Sequence, residues 1–413
     1  MTRVAVVGAG IIGVSTGLEL QRRGFSVTLF DPEPADSKAR ASYGNAGAFA
    51  YSDFLPLATP GIMRKVPKWL FDPLGPLSVP LGYAPNILPW LIRFGLASRP
   101  GRFAKGVETQ SNLMHLSRAA LERQLQNFGG EDLLQRDGQL QVYESEAEFQ
   151  STQSEWQLRE QYGIPFQILR SPEEIAELQP GLHPRFTHGG FVPQWVNVSD
   201  PLRWLNHRRE AFLNLGGQIE QLRVVSMSER GPEVVLSTND GERRAEFAVV
   251  AAGAHSNAIS RTLGENFPLE TERGYNTTLP PGSFDLRMHI TFSGHGFVLS
   301  RINGGIRVGG AVELGGLKAP PNYKRSEALL QRAKSFIPEL QTEGGEQWMG
   351  FRPSMPDTAP VIDWSAKMKR LVYAFGHGHS GLTQSAATAE LVSDLIENRT
   401  PAIPMEPFSA KRF

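Results

Sequence analysis

The sequence predicts an α/β fold, in which a domain with a parallel sheet is interrupted by an inserted α+β domain built on an antiparallel sheet. The chain opens with a strand, a glycine-rich turn and a helix, and the apolar run Ala248–Ala252 repeats the buried-strand pattern much later. Residues 265–345 alternate in polarity and carry the hairpin signal Asn303-Gly304-Gly305. A chain of 413 residues exceeds one ordinary core, so two domains are expected.

Composition narrows the class of protein. Hydrophobic residues make up 40% and charged residues 20%, which is typical of a folded globular chain. Lys+Arg and Asp+Glu both number 42, so no basic excess indicates a nucleic-acid partner. The chain has no cysteine, which excludes disulfides, iron–sulfur clusters and thiolate zinc sites and fits a cytoplasmic location. Neither a signal peptide nor an apolar run of about 18 residues is recognisable.

The first thirty residues predict a dinucleotide site of the Rossmann type. The run Val4–Val7 reads as a buried strand, Val14–Arg23 as a helix, and Phe25–Phe30 as a second strand. The glycines between the first strand and the helix allow a tight turn, close approach to a pyrophosphate and close helix packing. An acid at the end of the second strand can bind ribose hydroxyls and disfavours a 2′-phosphate, hence NADP. The residues predicted to form this site are Gly8, Gly10, Ile11, Ile12, Gly13 and Asp31.

A second glycine cluster, Ala41–Gly47, follows a polar segment. Small residues and an asparagine there permit the backbone to approach a flat ligand, although a plain loop is the alternative. The residues concerned are Ser42, Asn45, Ala46 and Gly47.

Together these two clusters resemble the flavin amine oxidoreductases of the D-amino-acid oxidase type, most closely the small subunit of bacterial D-amino-acid dehydrogenase and D-hydroxyproline dehydrogenases. The resemblance spans nearly the whole chain, and its most specific motifs contain Arg352 and the pair Gly376-His377. Its other motifs are the Pro- and Trp-rich segment with Pro56, Pro60, Gly61, Lys68, Trp69, Pro76 and Leu77, the run Val249–His255, and the remainder of Gly350–Pro360 and Gly376–Gly381.

The resemblance implies non-covalent FAD and a discontinuous FAD-binding domain. That domain is expected to comprise residues 1–50, 191–262 and 346–413, and the substrate domain residues 51–190 and 263–345. Helices are predicted at Gln110–Asn127, Glu146–Tyr162 and Leu202–Leu215. The resemblance also implies cofactor contacts at Val225, with Val224 as the alternative, and at Ala252 and Gly253.

The resemblance further implies where the chemistry lies. Arg352 matches the arginine that clamps the substrate carboxylate, with a structural salt bridge as the alternative. Tyr275 resembles a tyrosine near that carboxylate, but core packing explains it equally well. His295 could reach a ring substituent of the substrate, although a surface-loop histidine is the simpler interpretation.

The stretch Phe375–Ser385 contains two histidines flanking one glycine. A metal would need further ligands nearby, and none joins them in the sequence. The favoured interpretation is a loop leading into the helix Gln384–Asn398, whose N–H groups and dipole can hold the electron-rich edge of a reduced flavin. His379 is the less certain member and could face the substrate. The residues assigned to the cofactor here are Gly376, His377, Gly378, Ser380, Gly381, Leu382 and Thr383.

The predicted activity is oxidation of a D-amino acid, or of a cyclic D-imino acid such as D-proline or cis-4-hydroxy-D-proline, by hydride transfer from Cα to flavin N5. A quinone-type acceptor is expected. The alternatives are an oxygen-using oxidase of the glycine or sarcosine type, a flavin subunit of a multi-chain enzyme, and an NAD-dependent dehydrogenase. The segment Pro85–Ala97 could lie on the inner face of the cytoplasmic membrane, or form an ordinary buried helix. The sequence does not determine the oligomeric state.

Overall fold

The structure is a computed structural model that describes residues 1–67, 75 and 77–413; Lys68, Trp69 and Pro76 of the predicted motif lie outside these residues. The helices of the described ranges are α1 (Ile11–Arg22), α2 (Ala84–Ala97), α3 (Pro100–Phe128), α4 (Glu146–Ser151), α5 (Gln153–Gln161), α6 (Pro172–Leu178), α7 (Pro201–Asn214), α8 (Ser256–Ser260), α9 (Lys324–Phe336) and α10 (Gly381–Ile396).

The strands of these ranges come from all parts of the chain. They are β1 (Arg3–Val7), β2 (Ser26–Phe30), β3 (Ala48–Phe49), β4 (Leu77–Ser78), β5 (Leu134–Gln135), β6 (Gln139–Tyr143), β7 (Gln167–Leu169), β8 (His188–Val192), β9 (Val196–Val198), β10 (Gln218–Glu220), β11 (Val224–Arg230), β12 (Glu233–Thr238), β13 (Gly241–Ala245), β14 (Phe247–Val250), β15 (Glu270–Leu279), β16 (His289–Phe292), β17 (Phe297–Ile302), β18 (Gly305–Leu314), β19 (Glu346–Ser354), β20 (Val361–Trp364) and β21 (Leu371–Phe375).

The first strand lies inside a six-stranded sheet with the order β10-β2-β1-β14-β21-β20. Neighbouring strands of this sheet run parallel to each other, except that β20 is antiparallel to β21. Both faces of such a sheet are covered, which explains why β1 and β14 are apolar throughout their central residues. Helices α1 and α10 pack together over one face, with α3 outside them. This is the parallel α/β domain that the sequence predicts.

The second large sheet has the order β19-β15-β18-β17-β16-β6-β8-β7, with β4 beside β18. The hairpin between β17 and β18 turns at Asn303 and Gly304, with φ of 53° and 75°. Positive φ at both central residues is the geometry that an Asn-Gly turn favours, so the predicted hairpin is confirmed. A core of its own lies between this sheet and α9.

Strand pairing crosses the predicted domain boundaries at more than one place, since β5 pairs with β9 and β19 pairs with β15. Residues 346–354 form β19, which pairs antiparallel with β15 in the large sheet and not with the six-stranded sheet. The segment assigned to the FAD-binding domain from residue 346 therefore begins as the edge strand of the other sheet. The predicted helix at Glu146–Tyr162 also divides, because Thr152 separates α4 from α5.

One face of the large sheet carries polar side chains that hold the loop after β2. Asn276 Nδ2 donates to Gly44 O at 2.8 Å, Arg307 Nη1 to Asn45 O at 2.6 Å, and Trp348 Nε1 to Lys38 O at 2.7 Å. The backbone carbonyls of this loop thus accept hydrogen bonds from side chains that the sheet holds in place. This seam determines where the two sheets meet.

The opposite face of β15 contains a buried ionic network. Arg273 Nη1 donates to Glu313 Oε2 at 2.8 Å, and the Tyr275 hydroxyl donates to the same oxygen at 2.6 Å. Arg273 is 1% exposed and Glu313 7% exposed. Burial, with the hydrogen bond to Glu313, raises the pKa of Tyr275 to about 12, so the hydroxyl remains a donor.

We expect Glu313→Gln to lower the free energy of unfolding by about 3 kcal/mol or more, because it leaves a buried guanidinium without its counter-ion. Urea unfolding followed by circular dichroism measures the change. Glu242→Gln is the control, because its pair with Arg230 is exposed on both sides and should contribute less than about 1 kcal/mol. Equal losses in the two variants would contradict the role given to the buried network.

Candidate active site

The turn after β1 has no room for side chains. Gly8 adopts φ of +110°, and a Cβ there would lie 2.4 Å from Ala251 O. A Cβ on Gly13 would lie 1.9 Å from Gly8 O. Any larger residue at either position would push α1 away from the sheet. The conformation and packing are those that a dinucleotide turn requires.

Two side chains close this turn from the sides. Asp31 Oδ2 accepts from Ala9 N at 2.6 Å, and Ser42 Oγ accepts from Ile11 N at 3.0 Å. The other Asp31 oxygen accepts from Arg40 Nη2 at 3.0 Å. Asp31 therefore stands at the end of β2 beside the helix N-terminus, as predicted, whereas Arg40 was not anticipated as its partner. The only signal in the sequence for the pairing of Arg40 with Asp31 is that Arg40 is a cation in a polar segment.

The loop Ala41–Gly47 is shaped by its own asparagine. Asn45 Oδ1 accepts from Gly47 N at 2.7 Å, and its Nδ2 donates to Ser42 O at 3.0 Å. A Cβ on Gly44 would lie 2.2 Å from the Trp348 ring. The predicted residues Asn45 and Gly47 thus fix the backbone here, while Ala46 remains partly exposed.

The two histidines of the last loop have separate partners. His377 is buried, and its Nε2 lies 2.9 Å from Thr388 Oγ1. Burial lowers the pKa of His377 to about 3, so it is neutral at ordinary pH. His379 Nε2 lies 2.8 Å from Glu272 Oε2, on the side facing the large sheet. The rings therefore point to different parts of the molecule.

The helix α10 begins at Gly381 without a capping side chain at Ser380. Its first-turn N–H groups therefore remain available for a negatively polarised group. The Thr383 hydroxyl is not available as a further donor to the ligand, because it accepts from Ala50 N at 3.0 Å and donates to Ala48 O at 3.2 Å. Gly376, with φ of +87°, lies against Met355 and sets the turn.

Arg352 and Glu272 are direct cross-strand neighbours on β19 and β15. The guanidinium lies over Gly274, where a Cβ would come within 2.5 Å of Arg352 Cζ. Its Nη1 is buried and has no hydrogen-bond partner among the described residues. Burial lowers the pKa of Arg352 while Glu272 opposes that change. A buried guanidinium with a free donor is suited to bind a carboxylate.

Glu272 is held by two groups of the protein. Its Oε1 accepts from Ser354 Oγ at 2.6 Å, and His379 lies at its other oxygen. Burial alone would raise the pKa of Glu272, but His379, Ser354 and Arg352 outweigh it and bring the pKa down to about 2. The carboxylate is therefore ionised at any working pH.

The opposite wall holds Asp53 and Arg159. Arg159 Nη2 lies 3.4 Å from Asp53 Oδ1, and its guanidinium lies over the Trp156 ring at 4.7 Å. The Asp53 side chain keeps 45% of its surface exposed, yet surrounding protein raises its pKa while Arg159 and His379 lower it. A side chain such as Asp53, which is accessible to solvent and yet surrounded by protein, lines a recess. Sequence analysis missed Asp53, Arg159 and Glu272, since no local motif contains them.

Other predicted residues lie apart from Arg352. Tyr275 points into the core between the large sheet and α9, on the face of β15 opposite to Arg352. His295 Nε2 lies 3.1 Å from Glu144 Oε1 and its ring packs on Phe336. The structure therefore does not bring Tyr275 or His295 to the recess, and the packing alternatives describe their contacts.

The remaining predicted cofactor positions lie around the six-stranded sheet. Val225 is 48% exposed on β11, whereas Val224 is buried. Ala252 and Gly253 follow β14 directly, and nothing lies within 4 Å of a Cβ built on Gly253. Ile11 and Ile12 begin α1, with Ile12 packed on the core and Leu382 buried beside it in the same cluster.

Comparisons with known proteins agree with this architecture. Residues 3–395 match the model of the DAO family, described as FAD dependent oxidoreductase. A D-amino-acid oxidase of Bradyrhizobium diazoefficiens is 36% identical over 416 residues, covering 99% of this chain and 98% of the relative.

Solved structures share the fold. Glycine oxidase of Geobacillus kaustophilus superposes with a TM-score of 0.76 at 22% identity, with 100% of both chains covered. L-proline dehydrogenase of P. horikoshii gives a TM-score of 0.76 at 19% identity, covering 100% of this chain and 97% of that one.

The site and fold define an FAD-dependent oxidoreductase. The chain belongs to the DAO family, which confirms the family resemblance and the FAD prediction. The residues present fit this cofactor, because the Gly8–Gly13 turn excludes side chains, Asp31 stands at its rim, and the N-terminus of α10 is uncapped. The Gly8–Gly13 turn would hold the pyrophosphate, Asp31 the adenosine ribose, and the N-terminus of α10 the flavin edge.

We expect Asp31→Ala to weaken FAD retention by about 10-fold to 100-fold, because hydrogen bonds to a charged group are lost. The ratio of flavin absorbance to protein absorbance after gel filtration measures it. Asp36→Ala is the control, since Asp36 is exposed in the same segment. Wild-type flavin content in Asp31→Ala would contradict the assignment.

Proposed function

We propose that this protein oxidises a D-amino acid or a cyclic D-imino acid, such as D-proline or cis-4-hydroxy-D-proline, to the corresponding imine or 2-oxo acid. The observation that carries the proposal is Arg352, a guanidinium with a buried free donor in a recess next to the cofactor loops. The D-amino-acid oxidase of Bradyrhizobium diazoefficiens, similar along nearly its whole length, supports the substrate class.

The protein's own residues act by binding and orientation. Bound FAD supplies the two-electron oxidant that accepts hydride from the substrate Cα. Arg352 would clamp the substrate carboxylate, and Gly274 provides the flat backbone against which the guanidinium lies. Such fixed orientation can lower the barrier by several kcal/mol without acid–base chemistry at Cα.

We propose a quinone-type carrier at the membrane as the electron acceptor. The outer side of α2 supports it, because Leu88 and Ile92 are 55% and 56% exposed beside the exposed Arg93. The inner side of the same helix packs into a small core with Ile87, Trp90, Leu91 and Phe94. The helix is therefore buried on one side, and its exposed apolar side supports the proposed membrane contact. No helix among the described residues is long and apolar enough to cross a membrane.

Direct oxidation by oxygen is the second candidate. It is favoured by the 36% identical relative from Bradyrhizobium diazoefficiens, which is a D-amino-acid oxidase. The acceptor then differs while the substrate half of the reaction remains the same.

Anaerobic absorbance spectroscopy tests both candidates. The purified protein is mixed with single D- and L-forms of alanine, proline and 4-hydroxyproline, and the flavin bands are followed. Bleaching by D-forms alone is expected, whereas no bleaching by any of them would overturn the proposal. Admitting air then separates the acceptors, since slow reoxidation indicates a dehydrogenase and fast reoxidation with peroxide an oxidase.

We expect Arg352→Lys to raise KM for the bleaching substrate by about 10-fold to 100-fold, because an ammonium cannot form the bidentate contact. Flavin content should stay at the wild-type level. Arg412→Lys is the control, since Arg412 pairs with Asp357 at 2.8 Å outside the recess. An unchanged KM in Arg352→Lys would contradict the clamp.

A further inference from the structure

His379 and Glu272 form a carboxylate–imidazole pair on the same side of the sheet as Arg352. Glu272 is 4% exposed, while the His379 side chain is 37% exposed. The carboxylate is therefore inside the protein and the imidazole is between it and the recess.

The pair has a defined direction. Glu272 Oε1 accepts from Ser354 Oγ, and Oε2 lies 2.8 Å from His379 Nε2 in an ion pair whose angle is outside that of a regular hydrogen bond. No hydrogen bond from the described residues engages His379 Nδ1. A carboxylate at Nε2 favours the tautomer with the proton there, which leaves a lone pair on Nδ1. The accessible nitrogen is thus an acceptor.

The charges around His379 come from three other elements. Glu272 lies on β15 and Arg352 beside it on β19, while Asp53 follows β3 and is close enough for His379 to stabilise its carboxylate. Arg159 on α5 pairs with Asp53 from behind. His379 therefore has the Glu272 carboxylate on one side and the Asp53 carboxylate on the other.

We propose that His379 accepts the proton of the substrate's ammonium group and that Glu272 is the residue that positions and charge-balances its imidazole. The inference rests on the proposed function. In this step one N–H bond of the ammonium breaks, an N–H bond forms at Nδ1, and the amine keeps the electron pair. The neutral amine is the form whose lone pair can make the C=N bond.

The position of Arg352 supports this role. Residues opposite each other in neighbouring antiparallel strands have Cβ atoms about 5 Å apart. A carboxylate clamped by Arg352 thus lies next to Glu272 and its imidazole. The amine of an amino acid is one carbon away from that carboxylate, so it also lies near the Glu272–His379 pair.

The first test compares His379→Gln with wild type across pH. A general base contributes about 100-fold or more, so kcat/KM should fall by about 100-fold at neutral pH. It should recover toward wild type in alkali, where the amine is neutral without assistance. His115→Gln, an exposed position on α3, is the control and should match wild type. A loss of equal size at every pH, or a wild-type profile, would overturn the inference.

The second test uses Glu272→Gln and does not depend on turnover. Nitrogen NMR of ring-labelled histidine, assigned by comparison with His379→Gln, should show the neutral His379 ring protonated at Nε2 in the wild type and as a mixture of tautomers in Glu272→Gln. Glu390→Gln removes a carboxylate of α10 that pairs with Arg123 of α3, and it should leave the tautomer unchanged. An unchanged tautomer in Glu272→Gln would overturn the positioning role.

The two hypotheses fail in different ways. If no amino acid bleaches the wild-type flavin, the proposed function is wrong and the pH comparison has no substrate. If the wild-type flavin is bleached and His379→Gln keeps the wild-type pH profile, the proposed function stands and only the proton acceptor is wrong.

Discussion

The seam between the large sheet and the loop after β2 is the constraint on which the site depends. It consists of side-chain donors on a rigid sheet and backbone carbonyls on an irregular loop, with Arg307 donating to Asn45 O at 2.6 Å. Arg307 is 6% exposed, and burial lowers its pKa to about 10, so it still carries its charge at neutral pH. Among the described residues its hydrogen bonds go to the carbonyl oxygens of Tyr43 and Asn45 and to the Thr278 hydroxyl, and none goes to a carboxylate. The loop therefore cannot move away without leaving a buried cation unsolvated.

This seam explains why the site occupies one face of β15 and β19. Strands alternate their side chains, so the residues that hold the loop and the residues that line the recess share a face, while Arg273 and Tyr275 occupy the other. The second network stabilises the strand from behind. A site on paired strands is more rigid than a site on a loop, and rigidity matters when a substrate must be held in one orientation.

Local sequence determines the parts of this molecule that were predictable. The Gly8–Gly13 turn and the Asn303-Gly304 hairpin follow from a few adjacent residues, and both appear. The recess was only partly predictable, because the Glu272–His379 and Asp53–Arg159 pairs join residues far apart in the chain. Tyr275 shows the converse: a motif position can be recognised, but one step along a strand decides which face it occupies.

The charges of the recess favour a zwitterion over a simple acid or amine. Arg352 offers a cation with a free donor, and the imidazole backed by Glu272 offers an acceptor in a negative environment. An amino acid places a carboxylate and an ammonium one carbon apart and can match both at once. A hydroxy acid would leave the acceptor side without a charged partner, and a plain amine would leave the buried Arg352 Nη1 donor without an acceptor. Since an unmatched buried charge costs several kcal/mol, this pattern discriminates before any side-chain contact is made.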